Sequence, residues 1–201
     1  GDKVIVVRGG KFGERFGEIA KAYGVDVIAL DVEWGTSPKA SDIKGLLDKN
    51  PGVKAVYTTL CETSTATVFD IKGIGDVVKA TGALYVVDAI SGLGADDFEN
   101  DAWGIDIAIC GSQKGLMIPP GLSFCSVSQK AWKAVEASKL PKFYFNFKKY
   151  KKAMDDTDTP FTSAITLVIG LKKAIEKITA EGVDNVIARH RKSGVAMREA
   201  A

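Results

Sequence analysis

Short β-branched runs alternate with helix-length amphipathic stretches along the first two thirds of this chain, and that alternation sets the fold class. Lys3 to Arg8, Val25 to Leu30, Lys54 to Thr59, Leu84 to Asp88, Ile105 to Cys110 and Ser123 to Val127 each read as strands. Phe12 to Tyr23, Ser41 to Asp48 and Asp70 to Thr81 carry helical patterning, with Ser41 or Asp42 expected to cap the second of these helices. Strands this continuously apolar are buried on both faces. The pattern therefore predicts an α/β fold of three α/β/α layers around a mostly parallel sheet. The stretch from Gly111 to Leu122 is too short for a helical crossover, so Ser123 to Val127 is expected to run antiparallel to its neighbour.

Beyond Gln129 to Ala137, a further helix, the character changes. Lys142 to Met154 interleaves Phe143, Tyr144, Phe145, Phe147 and Tyr150 with Lys148, Lys149, Lys151 and Lys152. Alternating aromatics and amines cover a subunit interface well, and that reading is preferred over a basic surface for an acidic partner. A turn over Asp155 to Pro160 leads to helices expected from Ser163 to Ala180 and from Val183 to the end. The 201 residues suffice for one large domain spanning 1–201, and both ends read as cut. A net charge of +2 argues against a nucleic-acid or membrane-surface partner, and no apolar stretch approaches the roughly 20 residues that span a bilayer. Cys61, Cys110 and Cys125 are odd in number and lack C-x-x-C spacing. They read as small buried residues of a reducing, cytoplasmic compartment, with no metal site. His190 falls in a charged helical stretch between Arg189 and Arg191 and reads as a solvated helix residue.

Chemistry concentrates at strand ends, where open parallel sheets bind ligands. Lys114 lies in Gly111-Ser112-Gln113-Lys114-Gly115 after one apolar run, and Asp88 ends the run before it. An amine on a short polar loop can condense with an aldehyde, while a neighbouring carboxylate can hold a heterocyclic nitrogen protonated. Two more strand ends carry Gly9-Gly10-Lys11-Phe12-Gly13 and Cys61-Glu62-Thr63-Ser64-Thr65. Alone, Asp88 reads equally as a magnesium ligand or a helix cap, Lys114 as a solvated turn lysine, and Gly9-Gly10 as a tight turn. The convergence of four loops is the signal. Neither the spacing of a phosphate-binding G-x-x-x-x-G-K-[ST] loop nor a G-x-G-x-x-G after the first strand is present.

Glu62-Thr63-Ser64-Thr65, Val86 to Gly94, Asp101 to Asp106 and Gly111-Ser112-Gln113-Lys114 through Pro119-Pro120-Gly121 together resemble the class V, fold-type I aminotransferases. The serine–pyruvate and alanine–glyoxylate branch looks closest. The resemblance covers essentially the whole chain but only the central part of the family's chain. It implies the large domain of a pyridoxal 5'-phosphate (PLP) enzyme that moves an amino group between alanine or serine and glyoxylate or pyruvate, as a homodimer.

By that resemblance Lys114 would join the cofactor's aldehyde, Asp88 would bond its ring nitrogen, and Phe12 and Ile90 would cover its two faces. Thr63 would reach the ring hydroxyl, Gln113 the phosphate, and Thr162, ahead of Thr159, the phosphate of a neighbouring subunit. The family's glycine- and serine-rich phosphate turn and its C-terminal domain, which carries the substrate-binding arginine, have no counterpart here. An aspartate-type or phosphonate-linked aminotransferase, a cysteine desulfurase, or a fragment that only folds or associates are the alternatives.

Overall fold

The computed structural model describes all 201 residues. Its strands are β1 (Lys3–Arg8), β2 (Asp26–Asp31), β3 (Ala55–Thr59), β4 (Cys61–Glu62), β5 (Thr67–Val68), β6 (Leu84–Asp88), β7 (Ile107–Gly111) and β8 (Ser123–Val127). Its helices are α1 (Lys11–Ala22), α2 (Ala40–Lys49), α3 (Ile71–Lys79), α4 (Gln129–Ala137), α5 (Phe147–Asp155), α6 (Ile165–Glu181) and α7 (Val183–Ala200). Six strands form one sheet in the order β2-β1-β3-β6-β7-β8, while β4 and β5 make a small separate hairpin. The first five sheet strands are mutually parallel and β8 pairs antiparallel with β7, as the short connection requires.

Alternate residues of each strand face opposite ways, and both faces are covered. Ile5, Val7, Val56, Tyr85 and Val87 pack with Ile43 and Leu47 of α2 and with Ile74 and Val78 of α3. On the other face Val4, Val6, Ala55 and Val86 pack with Phe16 and Ala20 of α1. Gly75 lets α3 lie directly on the chain before β7, for a Cβ there would stand 2.1 Å from the Trp103 carbonyl oxygen. At the start of β7, the buried Asp106 accepts from the Tyr85 N–H at 3.0 Å and from the Ser128 hydroxyl at 2.6 Å, and Lys130 lies 3.2 Å away. Held this way, Ile105 and Asp106 precede the strand instead of opening it.

Helix starts depart from the expected ones where a tertiary constraint intervenes. Pro38 is buried and Lys39 is extended (φ −86, ψ 138), so α2 starts at Ala40. Ser41 and Asp42 consequently fall inside the first turn and neither caps it, although Asp42 there still complements the helix dipole. Asp70, expected as the first residue of its helix, is instead the cap of α3, accepting from the Gly73 N–H at 2.9 Å. The aromatic–lysine segment contains a helix, α5, capped by Asn146, whose side chain accepts from the Lys148 N–H at 3.1 Å. All three cysteines are free, but only Cys110 is buried; Cys61 is half-buried and Cys125 is exposed on the edge strand β8. His190 lies on α7 as expected, half-buried instead of fully solvated. No helix is long and apolar enough to cross a membrane.

Candidate functional site

From β1 the chain moves outward to β2 on one side and to β3 on the other, so the strand order reverses between β1 and β3. The crevice beyond the carboxyl ends at such a point is where a ligand can reach several loops at once. Asp88 ends β6, the strand next to β3, and Lys114 follows β7, the strand after that.

The first turn of α1 has no cap from its own sequence, because Gly10 has no side chain to offer. Glu62, fully buried, supplies one from 50 residues away. Its carboxylate accepts from the Gly13 N–H at 3.0 Å and the Phe12 N–H at 3.4 Å. Ser64 donates to the same carboxylate at 2.7 Å and accepts from the Lys11 N–H at 3.0 Å. The approach demands glycine at position 10, where a Cβ would stand 2.4 Å from the Glu62 side chain.

Phe16, one turn along, packs on Tyr57 of β3 with ring centroids 5.3 Å apart. Phe12 therefore stands about one helical turn nearer the carboxyl edge of the sheet, at the level where β3 and β6 end in the register pair Thr59 and Asp88. The Arg15 guanidinium lies 5.2 Å from the centre of the Phe12 ring.

Asp88 is half-buried and has no ion-pair partner in the chain; one carboxylate oxygen accepts from the Ile90 N–H at 2.9 Å. Burial pushes its proton affinity up; the Ile90 N–H acts in the opposite sense, the charge of Glu62 adds to the rise, and Arg15 works against it. Beside it the Thr59 hydroxyl, 1% exposed, has no hydrogen-bond partner. The hydroxyls of Thr63 and Ser91 bond to each other and tie the loop after β3 to the loop after β6.

The Lys114 loop is closed at its base by Ser112, whose buried hydroxyl donates to the Pro119 carbonyl at 2.8 Å and accepts from the Leu122 N–H at 3.2 Å. Gly115 presses this loop onto the loop after β6, for a Cβ there would be 2.1 Å from the Leu93 carbonyl oxygen. Lys114 and Gln113 are exposed, and Gln113 folds back over Gly111. The Cys61 thiol is pushed up by burial and by the charges of Asp96 and Glu62, while the positive charge of Lys114 acts in the opposite sense.

Phe12 in the first turn of α1, Thr63 just past β4, Asp88 and Ile90 at and just past the end of β6, and Lys114 past β7 accordingly lie on four segments joined by direct contacts, and Gln113 adjoins Lys114. Thr162 is apart: exposed on the segment entering α6, it makes no hydrogen bond with these loops. The arrangement fits a flat heteroaromatic aldehyde such as PLP. It offers an aromatic ring, a carboxylate without a cation, an orphan buried hydroxyl and an amine. Glu62 and Thr59 were not legible as site residues. Glu62 reads as one more polar residue in a hydroxyl cluster, and Thr59 as the last residue of a strand.

The family model for "Aminotransferase class-V" matches residues 1–199. A protein named soluble hydrogenase, small subunit, from Synechococcus sp. is 44% identical over all of this chain and 53% of its own length. The serine–glyoxylate aminotransferase of Methylorubrum extorquens is 39% identical over all of this chain and 52% of its own. The crystal structure of an alanine–glyoxylate aminotransferase from Nostoc sp. superposes with a TM-score of 0.94 at 29% identity, over 99% of this chain and 53% of that one. The chain spans about half the length of the curated relatives it matches.

Proposed function

The chain belongs to the class-V aminotransferase family, and from that premise we propose that it is the cofactor-holding large domain of a PLP-dependent aminotransferase. The amino group would pass between a small amino acid, alanine or serine, and glyoxylate or pyruvate, in a cytoplasmic homodimer. The observation that carries this reading is Asp88: a half-buried carboxylate with raised proton affinity and no cation of its own, beside an orphan hydroxyl and one loop from an exposed lysine. Such a carboxylate calls for a ligand that brings a cationic N–H.

When bound, PLP supplies an aldehyde carbon for amine exchange and a cationic ring that accepts the electron pair left by loss of the substrate's α-proton. The residues of this chain do the rest. Asp88 would keep the ring nitrogen protonated by accepting its hydrogen bond. Phe12 and Ile90 would hold the ring flat between them, and Thr63, already paired with Ser91, would orient a ring oxygen. Gln113 would bond the phosphate, joined by Thr162 from a neighbouring subunit. Lys114 would hold the aldehyde at rest and, once displaced, would carry the substrate's proton at its Nζ.

Incubation with PLP, borohydride reduction and peptide mapping test the reading. The expected result is a yellow protein with the reduced label on Lys114. A label spread over surface lysines, or none, overturns it.

A further inference from the structure

Glu62 is the most completely enclosed ionisable side chain near the crevice. It is 0% exposed and makes no salt bridge. Its stabilisation comes instead from hydrogen bonds: the N–H groups of Phe12, Gly13 and Ser64 and the hydroxyl of Ser64 all point at its two oxygens. Ser64 extends the link to the Lys11 N–H. The Lys11, Phe12 and Gly13 N–H groups are first-turn donors of α1, where a negative charge also meets the positive end of the helix dipole.

A helix with a side-chain cap most often takes it from the residue at its own N-cap position, as α3, α4 and α5 do here. In α1 that position is Gly10, and the space its side chain would use is filled by Glu62. The cap comes from the last residue of β4, and one residue further on Thr63 is bonded to Ser91, three residues past Asp88. The chain of contacts thus runs from the Phe12 backbone through Glu62 and Thr63 to the loop that begins at Asp88.

We propose that Glu62 is a positioning residue that sets the spacing between the Phe12 ring and the Asp88 carboxylate, and so governs how tightly the flat ring of PLP is held. The inference rests on the proposed function, because the ligand is the one named there. Glu62 itself touches no reacting atom. It acts through Phe12, and its effect on affinity must therefore vanish when the Phe12 ring is absent.

That dependence gives the test: PLP dissociation constants, read by absorbance titration and visible circular dichroism, for the 201-residue chain and for Phe12→Leu, Glu62→Gln and the double variant. Each single change is expected to weaken binding about tenfold, and the double about tenfold as well, the signature of two residues acting as one unit. A helix cap with no positioning role would multiply the losses to about a hundredfold, and that result overturns the inference. So does Glu62→Gln binding as tightly as the parent. If Glu62→Gln does not fold, Ser64→Ala takes its place, with about a threefold loss expected that disappears in the Phe12→Leu background; a threefold loss that persists there overturns the inference. A parent chain that binds no PLP removes the proposed function and this inference together. A parent that binds while Glu62→Gln is unaffected removes this inference alone.

Discussion

At the scale of single residues, Asp88 combines a demand for a ligand with a cost to the unliganded fold. Burial raises its proton affinity above that of an unfolded-chain aspartate. The folded state therefore binds this proton more readily than the unfolded state. The resulting stability is fully present below the unfolded pKa and is lost as pH rises through the folded one. At neutral pH the ionised carboxylate works against folding until a cation arrives. Asp88→Asn keeps an oxygen for the Ile90 N–H and removes the charge. It should raise the melting temperature of the apo chain at pH 7 by about 2–4 °C, with the gain shrinking toward pH 4. Under the proposed aminotransferase function the same change should spare PLP binding more than turnover. Thermal scans across pH and steady-state kinetics check the two halves. An apo protein that melts lower at pH 7, or turnover that is unchanged, would separate Asp88 from the role given to it.

At the scale of elements, the helix caps show what local sequence can and cannot reveal. Asp70 caps α3 through a bond to the Gly73 N–H, so Asp70→Ala should cost about 1 kcal/mol. Ser41 sits inside α2's first turn without capping it, so Ser41→Ala should stay within about 0.5 kcal/mol. Denaturant titration of the two variants distinguishes them, and equal losses would contradict the assignment. The six strands of the main sheet were legible because most are β-branched or apolar runs, and β8's direction followed from the shortness of one loop, whereas the two-residue strands β4 and β5 carry no such run. The placement of Asp88 at the end of β6 and of Lys114 three residues past β7 was legible because an apolar run precedes each. The α1 cap was not, because Gly10 and Glu62 are 52 positions apart and only the pairing of β1 with β3 brings them together. Helix α5 was missed for a different reason. Its alternating aromatics and lysines suggested an interface strip, although Phe147, Tyr150 and Met154 recur at helical spacing.

At the scale of the whole molecule, apolar surface remains on the side formed by the later helices. Phe143 and Phe145 are 74% and 79% exposed, and Ile165, Val168, Ile169 and Ile175 leave much of one side of α6 uncovered. The aromatic segment is already organised for contact: Tyr144 stacks on Phe161 at 4.4 Å, and Lys149 sits 4.2 Å from the centre of the Phe143 ring. Exposed aromatics held in fixed orientation bury well against a second copy. Sedimentation velocity over a concentration series should show self-association, weakened by the paired change Phe143→Ser and Phe145→Ser. A species that stays monomeric at every concentration would dismiss the subunit-interface reading of this segment.

The buried Ser112 hydroxyl has a kinetic corollary. With both its bonds made inside the loop, the arch bearing Lys114 is already rigid before any ligand arrives. Only the methylenes of the lysine remain free to search. Aldehyde capture at that amine would then be a local swing of one side chain, with its entropic penalty confined to a few rotamers instead of the ordering of a whole segment.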